Sequence, residues 1–158
     1  MFDRLVDAAF EYAFPLYAVA RTRHQAVADG ANPRRHPPNT LQHERQLSDH
    51  TSRWITAPNN DTLYSNAWLD LSFGPVDIEV DTMPADRYWS IALMDAFTNH
   101  FAVIGQRDEG TGPVRVTLVG SDGTIDDSVD DVVDHRARRV VRAPGHDVWL
   151  FARCLVDG

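Results

Sequence analysis

One cysteine, Cys154, occurs in the whole chain, so no internal disulfide can form and the small stapled secreted scaffolds are excluded. No base or second nucleophile stands beside it, and the thiol reads as an inward-turned strand residue. No run of about 18 apolar residues is present, so no segment is expected to span a bilayer as a helix. Met1-Phe2-Asp3-Arg4 opens the chain with charge, and Glu11 arrives before any unbroken apolar run, which does not fit a signal peptide. The expectation is a soluble, cytoplasmic chain without a membrane span. Basic residues are in deficit as well: 15 Lys and Arg stand against 23 Asp and Glu, a net charge of -8. That balance repels phosphate backbones and anionic lipid, so nucleic acid is not an expected partner.

The usual catalytic and metal spacings are also missing. His36, His43 and His50 recur every seven residues, but on a helix they would stand two turns, about 11 Å, apart, too far to share one ion. Pro37 and Pro38 would break that helix anyway, and the three are read as exposed or locally bonded. Gly120-Ser121-Asp122-Gly123 lacks the spacing of a nucleophile elbow and reads as a hairpin turn. Gly110-Thr111-Gly112 runs into Pro113 and a strand, so no helix N-terminus is available there to cradle a phosphate. The run from Asp126 to Arg139 passes from acid to base without the alternate carboxylates of a calcium loop, and reads as a solvated face or loop. No metal and no cofactor are expected.

What is present divides the chain in two. Apolar residues at positions 2, 5, 6, 9, 13, 16, 17 and 20 fall on one face of an amphipathic helix, which should dock on something. Pro15 lies inside that pattern, where its missing N–H should kink or split the helix. Residues 31–40, with three prolines, read as an extended lid or linker. Thr40 to Arg53 could add a short helix with Leu41 and Leu47 turned inward. Beyond Asp61 the period changes to two. Leu63, Ser65, Ala67, Leu69 and Leu71 share one side, and Tyr64, Asn66, Trp68 and Asp70 the other. Further strands are expected at 76–80, 87–94, 97–104, 114–119, 138–142 and 148–155, separated by Gly, Pro and Asp turns. The predicted fold is mainly β, an antiparallel jelly-roll-like sandwich behind a helical lead-in, as one domain over 1–158 with the lead-in at about 1–53 and the sandwich at about 60–158.

The face with Tyr64, Asn66, Trp68 and Asp70 is too aromatic for open solvent and too polar for a core. It is expected to line a cleft, meet the N-terminal helix, or meet another chain. Asn60 and Asp61 read in two ways: as an Asx turn that launches the strand, or as pocket residues. Asp61, Asp70 and Asp95 stand at or near predicted strand ends, where two carboxylates can divide acid and base roles. His100, inside an alternating strand, can contact a ligand or move a proton. Arg87 and Asn99 are candidate positioning residues for a bound ligand.

The ordered motifs Asn60-Asp61-Thr62, Tyr64-Ser65, Ala67-Trp68, Asp70-Leu71, Gly74-Pro75, Arg87-Tyr88, Asp95-Ala96, Thr98-Asn99, Phe101-Ala102, Gly105-x-Arg107 and Gly110-Thr111-Gly112 resemble the domain of unknown function 1254 family. Tyr12-x-x-Pro15-Leu16 and His43-x-Arg45 upstream, and Val148-Trp149-x-x-x-Arg153-x-x-Val156-Asp157-Gly158 at the end, extend the likeness over nearly the whole chain. The resemblance implies a jelly-roll-like sandwich with helices at its N-terminus, and no activity. It also implies a partner: members commonly carry a companion domain of unknown function 1214, also sandwich-like. Similar chains usually continue past Gly158, and many begin with an export signal that Met1 to Glu11 does not resemble. Gly120 to Gly123 replaces the family's glycine-proline turn with its following aromatic.

Two functions from different classes follow. The preferred one is a binding module that recognises a companion sandwich domain, a small ligand or non-native protein, with a homo-oligomer as a further partner state. The alternative is a hydrolase or lyase acting on a small or sugar-like substrate, with Asp61, Asp95 or His100 as acid or base and Tyr64, Asn99 or Arg87 positioning.

Overall fold

The structure, a computed structural model, describes residues 2–52, 59–123 and 139–156. Helix α1, Phe2–Val27, comes first, followed by the two-residue strand β1, Gln42–His43, and the long strand β2, Thr62–Asp70. Then come β3, Val76–Val80; β4, Trp89–Met94; β5, His100–Gly105; the short helix α2, Gln106–Glu109; β6, Val114–Val119; β7, Arg139–Arg142; and β8, Asp147–Leu155. One sheet runs β1-β2-β8-β4-β5 with every neighbour antiparallel, and the second runs β3-β6-β7. The fold is thus mainly β with an N-terminal helix, in a sandwich-like arrangement.

The period-two pattern of β2 places Ala67 and Leu69 on the inner face, with Ile91 and Leu93 of β4, Ile104 of β5 and Val148 and Leu150 of β8. Ile78, Val116, Leu118 and Val141 of the smaller sheet join the same cluster. Each of the Val, Leu and Ile side chains here contributes about 1.5–3 kcal/mol by leaving water, so this layer is the main source of stability. At one end of the layer Trp89 is buried, and its indole Nε1–H donates to the carbonyl of Gly110 at 3.2 Å.

Four expectations change. The N-terminal helix is not split: α1 passes continuously through Pro15, on a stretch whose residues from Glu11 to Tyr17 are exposed, so that water can reach the carbonyl that Pro15 leaves without a donor. No helix forms over Thr40–Ser52, and Arg53 lies outside the described residues. Gln42 and His43 pair instead with Asn66 and Ser65 at the edge of β2, leaving Leu41 and Leu47 exposed rather than inward. The sandwich is not wholly antiparallel, because β7 runs parallel to β6 with Val116 opposite Arg139 and Val119 opposite Arg142. A parallel neighbour needs a crossover, so the turn in which the Gly123 N–H donates to the Gly120 carbonyl is not a hairpin between paired strands. Of the two readings of His36, exposed or locally bonded, the second holds: its Nδ1 lies 3.4 Å from the Arg34 carbonyl, and it is only 7% exposed, as its loop folds back and its N–H donates to the Ala26 carbonyl at the end of α1. Of the acid-to-base run, only Arg139 lies within the described residues.

The segment before β1 is pinned rather than free to act as a lid. Asn39 takes φ 58, a left-handed conformation that asparagine tolerates, and its N–H donates to the Trp68 carbonyl at 2.9 Å. In that pose its side-chain amide brackets the backbone of Asp70, so the chain lies along the edge of β2 as a short substitute strand.

Candidate functional site

The outer face of the five-stranded sheet, away from the core, is where the residues of mixed character collect. Strand register arranges them in rows across the sheet. Trp68 lies opposite Trp149, Met94 and His100; Asn66 lies opposite Gln42 on one side and Phe151, Ala92 and Val103 on the other; Tyr64 lies opposite Arg153, Ser90 and Gly105. Trp68 and Trp149 stack with ring centres 4.9 Å apart and planes at 12°. Trp149 meets Phe151 edge-on at 5.7 Å, and Phe151 meets Tyr64 at 5.0 Å. Four aromatic side chains therefore form one continuous ladder, worth about 0.5–1.5 kcal/mol per pair beyond the area buried.

Helix α1 divides this face. Its C-terminal half crosses the Trp68 end, leaving Trp68 3% exposed, while Tyr64 and Asn66 at the other end stay half-buried. Of the three settings expected for this face, Trp68 takes the contact with the N-terminal helix and is part of the joint between helix and sheet. Arg23 fastens that joint through Asp147 at 2.9 Å and Asp70 at 3.6 Å. Val19 and Val27, one turn to either side of Arg23, line the same joint, which encloses a cavity of about 180 Å³ against the two indoles. The N-terminal half of α1 has a different environment. Phe10, Tyr12 and Phe14 are 65%, 74% and 51% exposed, and Leu5, Val6, Leu16 and Tyr17 are exposed with them. Phe10 and Phe14, four residues apart, touch each other at 5.4 Å, and Tyr12 reaches Phe97 at 5.7 Å.

The predicted site residues fall into separate groups. Asn60 and Asp61 are exposed in the turn before β2, where Asn59 Oδ1 accepts the Asp61 N–H at 2.6 Å and the Thr62 N–H at 3.3 Å. This is the Asx turn weighed from the sequence. Arg87, half-buried before β4, belongs to the same end of the sheet, since Tyr88 bonds Leu155 and Leu155 lies opposite Thr62. Asp95, Asn99 and His100 belong to the opposite end. Met94 is level with Trp149 and Trp68, so register separates Asp61 from Asp95 by roughly 25 Å along the strands. No single small substrate spans that distance, so Asp61, Asp95 and His100 do not form one acid–base set.

Asp95 is itself occupied. Its Oδ1 accepts the N–H groups of Phe97 and Asn99 at 2.8 and 2.9 Å, and its Oδ2 accepts the Asn99 side-chain amide at 3.0 Å. Partial burial pushes the carboxyl upward, but these hydrogen bonds outweigh it and hold the group below its ordinary value. They also hold Thr98 at φ 64, an uncommon conformation for a β-branched residue, so the β4–β5 tip is rigidly specified. Asp70 is occupied too. The Ser72 hydroxyl and N–H donate to it at 2.5 and 3.0 Å, and these bonds, with Arg23 beside it, lower its carboxyl against the opposing effect of burial.

Trp149, Phe151, Arg153 and Arg23 were not among the candidate site residues, although Trp149 and Arg153 stand in the closing motif. The signal for three of them was present in β8, where Trp149, Phe151 and Arg153 alternate with Val148, Leu150 and Ala152 as Trp68, Asn66 and Tyr64 alternate in β2. Among the described residues no group of three or more His, Cys, Asp or Glu side chains is arranged to hold a metal ion, and no helix is long and apolar enough to cross a membrane.

No curated protein matches the chain. Among solved structures, the VPA0106 protein of Vibrio parahaemolyticus is similar, with a TM-score of 0.68 and 26% identity over 95% of this chain and 32% of that one. An uncharacterised protein of Burkholderia cenocepacia shares the fold with a TM-score of 0.50 and 19% identity over 96% of this chain and 38% of that one. The chain thus spans about a third of the length of the solved chains it matches. A family model covers residues 38–158, more than half of the sequence, and the chain belongs to the family described as Protein of unknown function (DUF1254).

Proposed function

We propose that the chain is a single sandwich module that binds a companion sandwich domain, of the unknown-function 1214 type, through the N-terminal half of α1. The observation that carries this reading is the exposure of Phe10, Tyr12 and Phe14 together with Leu5, Val6, Leu16 and Tyr17. So many large apolar side chains on one segment of helix are unfavourable in water and are the usual mark of a protein contact surface. A helix of this kind lays its apolar stripe into a groove on its partner. The length of the solved relatives supports it: the matched fold is about a third of each chain, so there it is accompanied by a larger body of polypeptide.

Sedimentation of the purified chain with a purified companion domain tests this. A one-to-one complex that Phe10→Glu and Phe14→Glu abolish is the expected result. A stable dimer of this chain alone, dissolved by the same substitutions, would overturn it in favour of a second copy. Suppression of a client protein's aggregation without any companion complex would overturn it in favour of a chaperone-like surface.

A further inference from the structure

The open end of the outer sheet face differs electrostatically from the rest of the molecule. Acidic residues outnumber basic ones by 23 to 15 over the chain, yet no carboxylate lines the cavity of about 430 Å³ beside β4 and β8 among the described residues. Its polar groups are Arg153, His100, Ser90 and Thr98, and its apolar floor is Trp149 and Phe151 with Ala92 and Met94. The volume lies within the range of about 300–1,000 Å³ usual for small-molecule sites.

Arg153 is the one cationic guanidinium among these lining residues. Its guanidinium lies 5.5 Å from the Phe151 ring centre and 5.8 Å from that of Tyr64. Among the described residues it has no carboxylate partner, whereas Arg23, Arg34, Arg115 and Arg139 are each paired with an acid. A guanidinium beside aromatic rings loses none of its N–H donors to them, and its planar fork matches the two oxygens of one carboxylate. His100, first residue of β5, is likewise unpaired with any acid among the described residues and lies in the row of Trp149, two rows along from Arg153 and Ser90 with the Phe151 row between them. Trp149 and Phe151 offer faces and edges for an apolar body.

We infer that this face binds a small monocarboxylate with a compact apolar or aromatic body, its carboxylate on Arg153 and its body on Phe151 and Trp149. The inference stands apart from the companion reading. It uses β4, β5 and β8 rather than the N-terminal half of α1, and either can fail alone.

The test compares phenylacetate with phenylacetamide, which matches its shape without charge, and with 2-phenylethylammonium, which reverses the charge. Each is titrated into the ¹⁵N-labelled chain while the indole N–H of Trp149 and the Nε–H of Arg153 are followed by NMR. Phenylacetate is expected to move both signals saturably and to bind at least tenfold more tightly than the amide, with no measurable binding of the ammonium ion. In Arg153→Gln the phenylacetate affinity should fall at least tenfold while that for the amide stays within twofold, because the aromatic floor remains. Phe10→Glu should leave phenylacetate binding unchanged. Equal affinities for acid and amide, a phenylacetate titration without saturable shifts, or an Arg153→Gln variant that binds phenylacetate like the parent chain would each overturn the assignment.

Discussion

The side chain of Asn39 exchanges two hydrogen bonds with the backbone of Asp70, 31 residues away: the Asp70 N–H donates to Oδ1 at 2.8 Å, and Nδ2 donates to the Asp70 carbonyl at 3.1 Å. Asn39→Ala removes both bonds and places alanine at φ 58, a conformation it resists. The expected loss is about 2 kcal/mol, from two net hydrogen bonds and the left-handed backbone. Urea unfolding of the two chains measures it, and an effect below a few tenths would mean that the loop is not pinned to β2.

Trp68 and Trp149 should be separable as a coupled pair. Their stacking at 4.9 Å predicts an excitonic couplet from the strong indole band in the far-ultraviolet circular dichroism, lost in either Trp68→Phe or Trp149→Phe. A double-mutant cycle on unfolding should give a coupling of about 0.5–1.5 kcal/mol. Zero coupling would mean that the two indoles contribute only by area.

Acid sensitivity follows from Asp70 and Asp95, whose carboxyls are both held below the ordinary value of 3.8 in the folded chain. A depressed folded value means that the unfolded chain binds protons first. The stabilisation is fully present above the unfolded value and is lost as pH falls below about 4 toward the folded values. Asp70→Asn should therefore destabilise at pH 7 while flattening the acid limb of stability against pH. A variant whose acid limb kept the parent slope would remove Asp70 from that account.

Exposed and buried apolar residues should respond in opposite ways. Phe10→Glu alters a side chain 65% exposed and should change the stability of the isolated chain by no more than about 0.5 kcal/mol. Leu93→Ala, at a position 0% exposed, should cost about 2–5 kcal/mol by leaving a cavity between the sheets. Thermal unfolding of both variants checks the contrast. A large loss in Phe10→Glu would mean that this helix face already packs within the chain.

Much of this architecture was readable before any coordinates. The alternation from Leu63 to Leu71 determined which side of β2 enters the core, because strand side chains point to opposite faces by geometry alone. Asn59 before Asp61 and Thr62 determined an Asx turn, because a short amide reaches its own downstream N–H groups. The apolar spacing from Leu5 to Ala20 determined an amphipathic helix that needs a partner surface.

Tertiary structure decided what those pieces do together. It placed Asp61 and Asp95 at opposite ends of the sheet, since register across β8 and β4 is set by non-local pairing that no local pattern encodes. It also set β7 parallel to β6 and buried His36 against the end of α1. Most of all, it laid only half of α1 over the outer face. Trp68 became core because Arg23 found Asp147 and Asp70 above it, and Arg153 stayed open on its aromatic floor because no acid from elsewhere in the fold reaches it among the described residues.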